Sequence, residues 1–129
     1  MPQIVTKLVT AVDHPLPLTN AALIPGLTIP ILTGAGNIAI KANVNLFSDT
    51  AQSFSAWLTF RIDGTLATIW DQGYTTIHIA QYAAQNVAME IIRHLGAGQH
   101  TIELWGACDN AGPYIPQLHA MLAVHELGF

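Results

Sequence analysis

Val-Ala-Met-Glu-Ile-Ile-Arg-His-Leu (87–95), Gln-His-Thr-Ile-Glu-Leu-Trp-Gly-Ala (99–107) and Gln-Leu-His-Ala-Met-Leu-Ala-Val-His-Glu-Leu (117–127) are the three stretches whose reading decides the fold. Gly96-Ala97-Gly98 divides the first from the second, and Asp109-Asn110-Ala111-Gly112-Pro113 the second from the third. Turn-forming residues thus stand where an antiparallel meander needs them. In the last stretch Leu118, Ala120, Leu122 and Val124 fall on one face of a strand, and His119, Met121, Ala123 and His125 on the other. A surface strand of an isolated sandwich alternates apolar with charged residues. This strand is apolar or near neutral on both faces, which predicts that its second face is covered by another subunit.

Composition points the same way. The 129 residues fit one domain, long enough to bury about two-thirds of its unfolded surface. Four Lys or Arg and eight Asp or Glu make up only 9% of the chain, where about a quarter is usual. A surface rich in Thr, Asn, Gln and Ser, extensive burial in an oligomer, or both would reconcile this with solubility. The net charge of −4 disfavours nucleic acid as a partner, because no basic patch is present to neutralise phosphates, and Arg61 and Arg93 are isolated. Apolar runs break well before the roughly 18 residues of a membrane span, so no membrane insertion is expected. The start of the chain lacks the pattern of a conventional signal peptide. Cys108 is alone, which excludes an internal disulfide and a multi-thiolate metal site. A bacterial cytoplasm, a non-classical secretion route or a virus particle is compatible with these features.

No composition shift marks a domain boundary. Ile4–Val12 reads as a strand, followed by a Pro-punctuated extended stretch at 14–18. Leu23-Ile24-Pro25-Gly26 reads as a turn, and Pro30 places the strand after it at an edge or a bulge, since proline cannot donate to a ladder. In Ile38–Phe47 the residues Ile38, Ile40, Ala42, Val44 and Leu46 share one face and Ala39, Lys41, Asn43 and Asn45 the other. The next strand repeats this period of two, with Phe54, Ala56, Leu58, Phe60 and Ile62 inward and Ser55, Trp57, Thr59 and Arg61 outward. Asp63-Gly64 is a hairpin signal, leading into strands at 65–70 and 74–80. Ala80, Ala84, Val87, Ala88, Ile91 and Leu95 also fit helical spacing, with Gly96 as a stop. Strand is preferred for 87–95 because its length matches its neighbours. Eight to ten short strands at roughly 8–12-residue spacing imply an all-β, antiparallel sandwich or jelly roll.

The run Leu95-Gly96-Ala97-Gly98-Gln99-His100-Thr101-Ile102-Glu103-Leu104-Trp105, followed by Leu118–Leu127, resembles a recurrent ending of tumour-necrosis-factor-like and complement globular-head-like jelly rolls. Ile38–Gly64 resembles their central strands. The resemblance implies a single jelly-roll domain over residues 1–129 and a homotrimer. In such a trimer the inner sheet packs on the outer sheet with one face and on neighbouring subunits with the other. It places His119, Met121, Ala123 and His125 at the trimer interface. More weakly, the Met-Pro start, the Val/Thr-rich first strand and Ile24-Pro25-Gly26-Leu27 resemble bacterial fucose-binding lectins of this fold. That likeness implies a sugar held between subunits. Tyr74, Thr75 and Trp57 would be the matching positions, with Arg93 as a loose counterpart of a lectin arginine and Asp109 or Gln117 as an acidic or polar partner.

The remaining chemistry is sparse. His119 and His125 share a strand face about 20 Å apart, so they cannot chelate one ion within a subunit, although each can meet its symmetry copies across a three-fold axis. Hydrogen-bonded interface histidine is the plainer reading. His78, His94 and His100 lie on separate elements with no site spacing, and Asp63 is explained by its turn. Ser48, Ser53 and Ser55 lack a nucleophile elbow. Cys108, read as lying in a turn beside Asp109, has no activating neighbour. No carboxylate pair stands out for glycosidase work. No enzyme, cofactor or metal is expected. Trp57, with Trp70-Asp71-Gln72-Gly73-Tyr74, brings together aromatic faces and planar polar groups, the combination that binds sugars, although Trp and Tyr are also enriched at subunit interfaces.

The sequence therefore reads as a non-enzymatic, trimeric, lectin-type carbohydrate-binding module. Glycans, including fucosylated ones, are the expected partners, and Trp57, Trp70, Asp71, Gln72, Tyr74, Thr75 and Arg93 the candidate ligand-binding residues. The alternative is a structural trimer of a virus or phage particle, such as a capsid decoration or tail-fibre protein, with no small-molecule ligand.

Overall fold

A computed structural model of the chain describes residues 4–8, 14–15, 22–48, 51, 54–66, 75–79, 82–108, 114–115 and 120–127. Eleven strands and no helix occur among them: β1 (Ile4–Leu8), β2 (His14–Pro15), β3 (Ala22–Thr33), β4 (Gly36–Phe47), β5 (Phe54–Ile62), β6 (Thr65–Leu66), β7 (Thr75–Ile79), β8 (Ala84–Leu95), β9 (Gly98–Cys108), β10 (Tyr114–Ile115) and β11 (Ala120–Glu126). One sheet runs β1-β11-β4-β10-β2, with β8 pairing β4; the other runs β3-β9-β5-β6, with β7 pairing β5. The pairings are antiparallel. The two sheets pack face to face as a jelly-roll sandwich.

The period of two read in β4 and β5 is what builds the core. Ile38, Ile40, Ala42, Val44 and Leu46 from β4 meet Ala56, Leu58 and Phe60 from β5, joined by Ile102 and Leu104 of β9, and all are buried. On β8, Val87 and Ile91 are buried and Met89 and Leu95 pack against the core, while Ala84, Ala88, Glu90, Ile92 and His94 are exposed. That alternation makes 84–95 a strand. The apparent helical spacing carries no packing, because Ala84 and Ala88 face outward.

Two local readings are corrected. Leu23-Ile24-Pro25-Gly26 does not end a strand; it lies within β3, where the register to β9 shifts between Leu23 and Thr28. Gly26 takes a φ of 85° there, a left-handed conformation that glycine adopts without steric cost. The irregularity lets Ile24 and Leu27 both reach the core, at 1% and 0% exposure. Cys108 is not in a turn; it is the last residue of β9 and is fully buried. β3 is an edge strand, as Pro30 requires. Asp63 and Gly64, both at positive φ, close the two-residue hairpin between β5 and β6.

Candidate functional site

The outer face of the first sheet is one of two candidate surfaces. β11 lies between β1 and β4, with Met121, Ala123 and His125 opposite Leu8, Thr6 and Ile4 on one side and Asn43, Lys41 and Ala39 on the other. β8 extends the face, setting Asn86, Ala88, Glu90 and Ile92 opposite Asn45, Asn43, Lys41 and Ala39. Ala120, Leu122 and Val124 are buried against the other sheet, whereas Met121, Ala123 and His125 are half-buried and point away from it. This is the division expected from the sequence. His119 lies outside the described residues.

The chemistry of this face is graded along its strands. At one end Ile92 is 54% exposed beside Ala39. In the middle Lys41 Nζ lies 3.1 Å from Glu90 Oε2, so the two charges neutralise each other. Beyond them the Asn86 amide donates to Asn43 Oδ1 and Asn45 Oδ1 at 2.7 and 2.6 Å. A shallow depression of about 340 Å³ lies over Lys41, Asn43, Ala88, Met89, Glu90 and Met121.

The outer face of the second sheet carries Trp57. Its neighbours on β5 and β9 are Thr59, Arg61, Glu103, Trp105 and Ala107, because Trp57 stands opposite Ala107, Thr59 opposite Trp105 and Arg61 opposite Glu103. The Arg61 guanidinium carbon is 3.9 Å from the Trp105 ring centroid, and the Trp105 indole N–H donates to Glu103 Oε1 at 3.1 Å. Arg61 Nη1 donates to the Gly64 carbonyl at 3.4 Å. Thr59, flanked by Trp57, Arg61 and Trp105, is fully buried. Two indoles, a guanidinium and a carboxylate thus share one patch.

Sequence reasoning placed Trp57 here but missed its companions. Arg61, Glu103 and Trp105 become neighbours only through the β5–β9 register, and no local spacing carries that register. Of the other predicted ligand residues, Trp70, Asp71, Gln72 and Tyr74 lie outside the described residues, and Thr75 stands on β7 opposite Leu58, next to the Trp57–Thr76 pair. Arg93 stands apart from Trp57 within one chain. It lies on β8 in the other sheet, opposite Ile38, and its Nη1 donates to the Ile92 carbonyl at 3.0 Å.

A polar cluster closes one end of the sandwich. Asp63 Oδ1 accepts from the Thr101 backbone N–H at 2.8 Å, and Asp63 Oδ2 lies 2.7 Å from His100 Nδ1. His100 Nε2 lies 2.7 Å from the Gly96 carbonyl. The hydrogen bond from His100 holds the Asp63 carboxyl below its usual range, with the Thr101 N–H adding to it. The same bond raises the His100 imidazole above its usual value, aided by the Gly96 carbonyl. Among the described residues no group of three or more His, Cys, Asp or Glu is placed to hold a metal ion, and no helix is long and apolar enough to cross a membrane.

No protein-family profile matches the sequence, and no curated protein matches it. Solved structures do match in shape. A chain of the T13 infectious bursal disease virus particle superposes with a TM-score of 0.63 at 9% identity over 97% of this chain and 31% of that one. Murine APRIL gives 0.55 at 11% identity, covering 98% and 100%. Eiger TNF from S. frugiperda gives 0.56 at 12% identity, covering 98% and 93%. The chain is therefore an all-β jelly roll of the TNF-like type. It spans about a third of the viral chain and nearly the whole of the two TNF-type chains.

Proposed function

We propose that this protein is a non-enzymatic, homotrimeric recognition module of the lectin type, joined through the outer face of its β1-β11-β4-β8 sheet. The observation that carries the assembly is the character of that face. Among the described residues, Met121, Ala123, Ala39 and an Ile92 that is 54% exposed share it with the internally neutralised Lys41–Glu90 pair and the mutually hydrogen-bonded Asn43, Asn45 and Asn86. Such a surface loses little on leaving water and gains from packing against its own kind.

Carbohydrate is the ligand class that the second face favours. Trp57 and Trp105 offer aromatic surfaces for sugar C–H groups, and Arg61 and Glu103 offer planar polar groups for hydroxyls. Three copies per trimer would turn weak single-site binding into avidity on a glycan-bearing surface. The test is a glycan array that includes fucosides, followed by calorimetry on the hits. Saturable binding that is lost in both Trp57→Ala and Trp105→Ala supports the reading. Silence on every glycan, or binding indifferent to both substitutions, removes the lectin role.

A second reading, a structural trimer of a virus particle, is favoured by the shape match to the bursal disease virus chain. Binding to capsid or tail components in place of glycans would select it.

A further inference from the structure

His100 occupies a position that only one of its protonation states satisfies. It continues the core-facing row of Ile102 and Leu104 on β9, and its side chain is only 15% exposed. Nδ1 faces the Asp63 carboxylate and Nε2 faces the Gly96 carbonyl, each at 2.7 Å. Both partners are acceptors, so both ring nitrogens must carry a proton for both contacts to be hydrogen bonds. The ring that meets this demand is the imidazolium.

We propose that His100 is a proton-operated clasp: doubly protonated, it ties the Asp63-Gly64 turn to the Gly96-Ala97 turn, and on losing one proton it releases the second turn while keeping the first. The order of release follows from the partners. The carboxylate holds the Nδ1 proton by a charge-assisted bond, the stronger kind, so Nε2 is the nitrogen that deprotonates. Its lone pair then faces the Gly96 carbonyl oxygen at 2.7 Å, two acceptors in repulsive contact, and the β8–β9 turn must move away. The Gly96 carbonyl is not stranded by this, because Thr33 Oγ1 also donates to it at 3.3 Å, and reaches the Gly98 carbonyl at 3.5 Å.

Among the described residues, Asp63 is the charged group in contact with His100, and Glu126 ends the core-facing row of β11 opposite Ile38. β3, which pairs with β9 at Ile31 opposite His100, carries no ionisable side chain between Ala22 and Thr33. Arg61 and Glu103 lie on the opposite face of the sheet, around Trp105. On β8, Glu90 pairs with Lys41 and His94 is exposed, while Arg93 shares the core-facing row with Ile91 and donates to the Ile92 carbonyl. The Gly-rich turn that moves, 96–98, joins β8 of the proposed trimer face to β9 of the aromatic face.

Imidazole ¹⁵N spectra of the intact, unsubstituted protein, recorded from pH 5 to 9 with amide hydrogen exchange, test this directly. Both His100 nitrogens should be protonated at pH 6, Nε2 alone should lose its proton at higher pH, and protection at 96–98 should fall about tenfold across that step. Asp63→Asn should shift the step to lower pH, and His100→Gln should leave protection at 96–98 without a step. A neutral His100 ring at pH 6, or protection at 96–98 that does not follow the ring's titration, overturns the proposal.

Discussion

Arg61 on β5 and Trp105 on β9 are locked together, the guanidinium carbon 3.9 Å from the ring centroid, while the indole N–H of Trp105 is held by Glu103 at 3.1 Å. The contact orients both side chains on the outer face of the second sheet. A cation–π contact of this kind contributes about 0.5–2 kcal/mol, depending on desolvation. Arg61→Ala is expected to lower stability by about 1–2 kcal/mol and Arg61→Lys by less, since lysine keeps the charge but not the planar stack. Chemical denaturation of the two variants checks the order.

The pH dependence of stability has a defined sign. His100 is raised above 6.5 by Asp63 and the Gly96 carbonyl, so its contribution is complete below pH 6.5 and is lost as pH rises through the higher folded value. Asp63 is lowered below 3.8 by His100 and Thr101, so its contribution is complete above pH 3.8 and is lost as pH falls through the folded value. Thermal melts should therefore show the clasp's full contribution between about pH 4 and 6.5. In Asp63→Asn the decline above pH 6.5 should be smaller and should end at a lower pH, measured as melting temperature against pH.

Gly106 is required by packing. A Cβ built there would meet Leu58 Cδ2 at 2.9 Å, the Trp57 carbonyl at 3.3 Å and Ile24 Cδ1 at 3.4 Å. The leucine methyl can turn aside, but the backbone oxygen of the paired strand cannot do so freely. Gly106→Ala is expected to cost about 1–3 kcal/mol by overpacking and Gly106→Val more, whereas Gly34→Ala, where nothing lies within 4 Å, should stay within about 0.5 kcal/mol of the parent. Urea titrations of the three variants separate the cases.

The Lys41–Glu90 pair distinguishes a single chain from an assembly. Both side chains are about half exposed in the single chain, at 52% and 48%, where such a pair contributes less than about 1 kcal/mol. Buried between subunits, it would leave an uncompensated charge when one partner is removed. Glu90→Ala is therefore expected to weaken association at least tenfold, and the double substitution with Lys41→Ala to recover part of the loss, as read by sedimentation over a dilution series.

The strands were legible wherever the side-chain period was clean. β4 and β5 needed only the alternation of Ile38 to Leu46 and of Ala56 to Phe60, and β11 showed its two apolar faces at once. β3 was harder, because Pro25-Gly26 looks like a chain reversal and only pairing with β9 turns it into a bulge. The sites were less legible still. Asp63 reads as a turn residue until the structure sets His100, 37 positions away, against its carboxylate. Arg93 and Trp57 stand on different sheets, a separation that only the strand pairing defines.

Assembly through the β1-β11-β4-β8 face is the claim on which the rest depends, and the mass of the particle in solution tests it most directly. Light scattering coupled to size exclusion should give three times the 13.9 kDa chain for the parent, and close to one chain for Ala123→Glu, which sets an unpaired charge in the middle of that face. A parent that runs as one chain, or a trimer indifferent to Ala123→Glu, would contradict it.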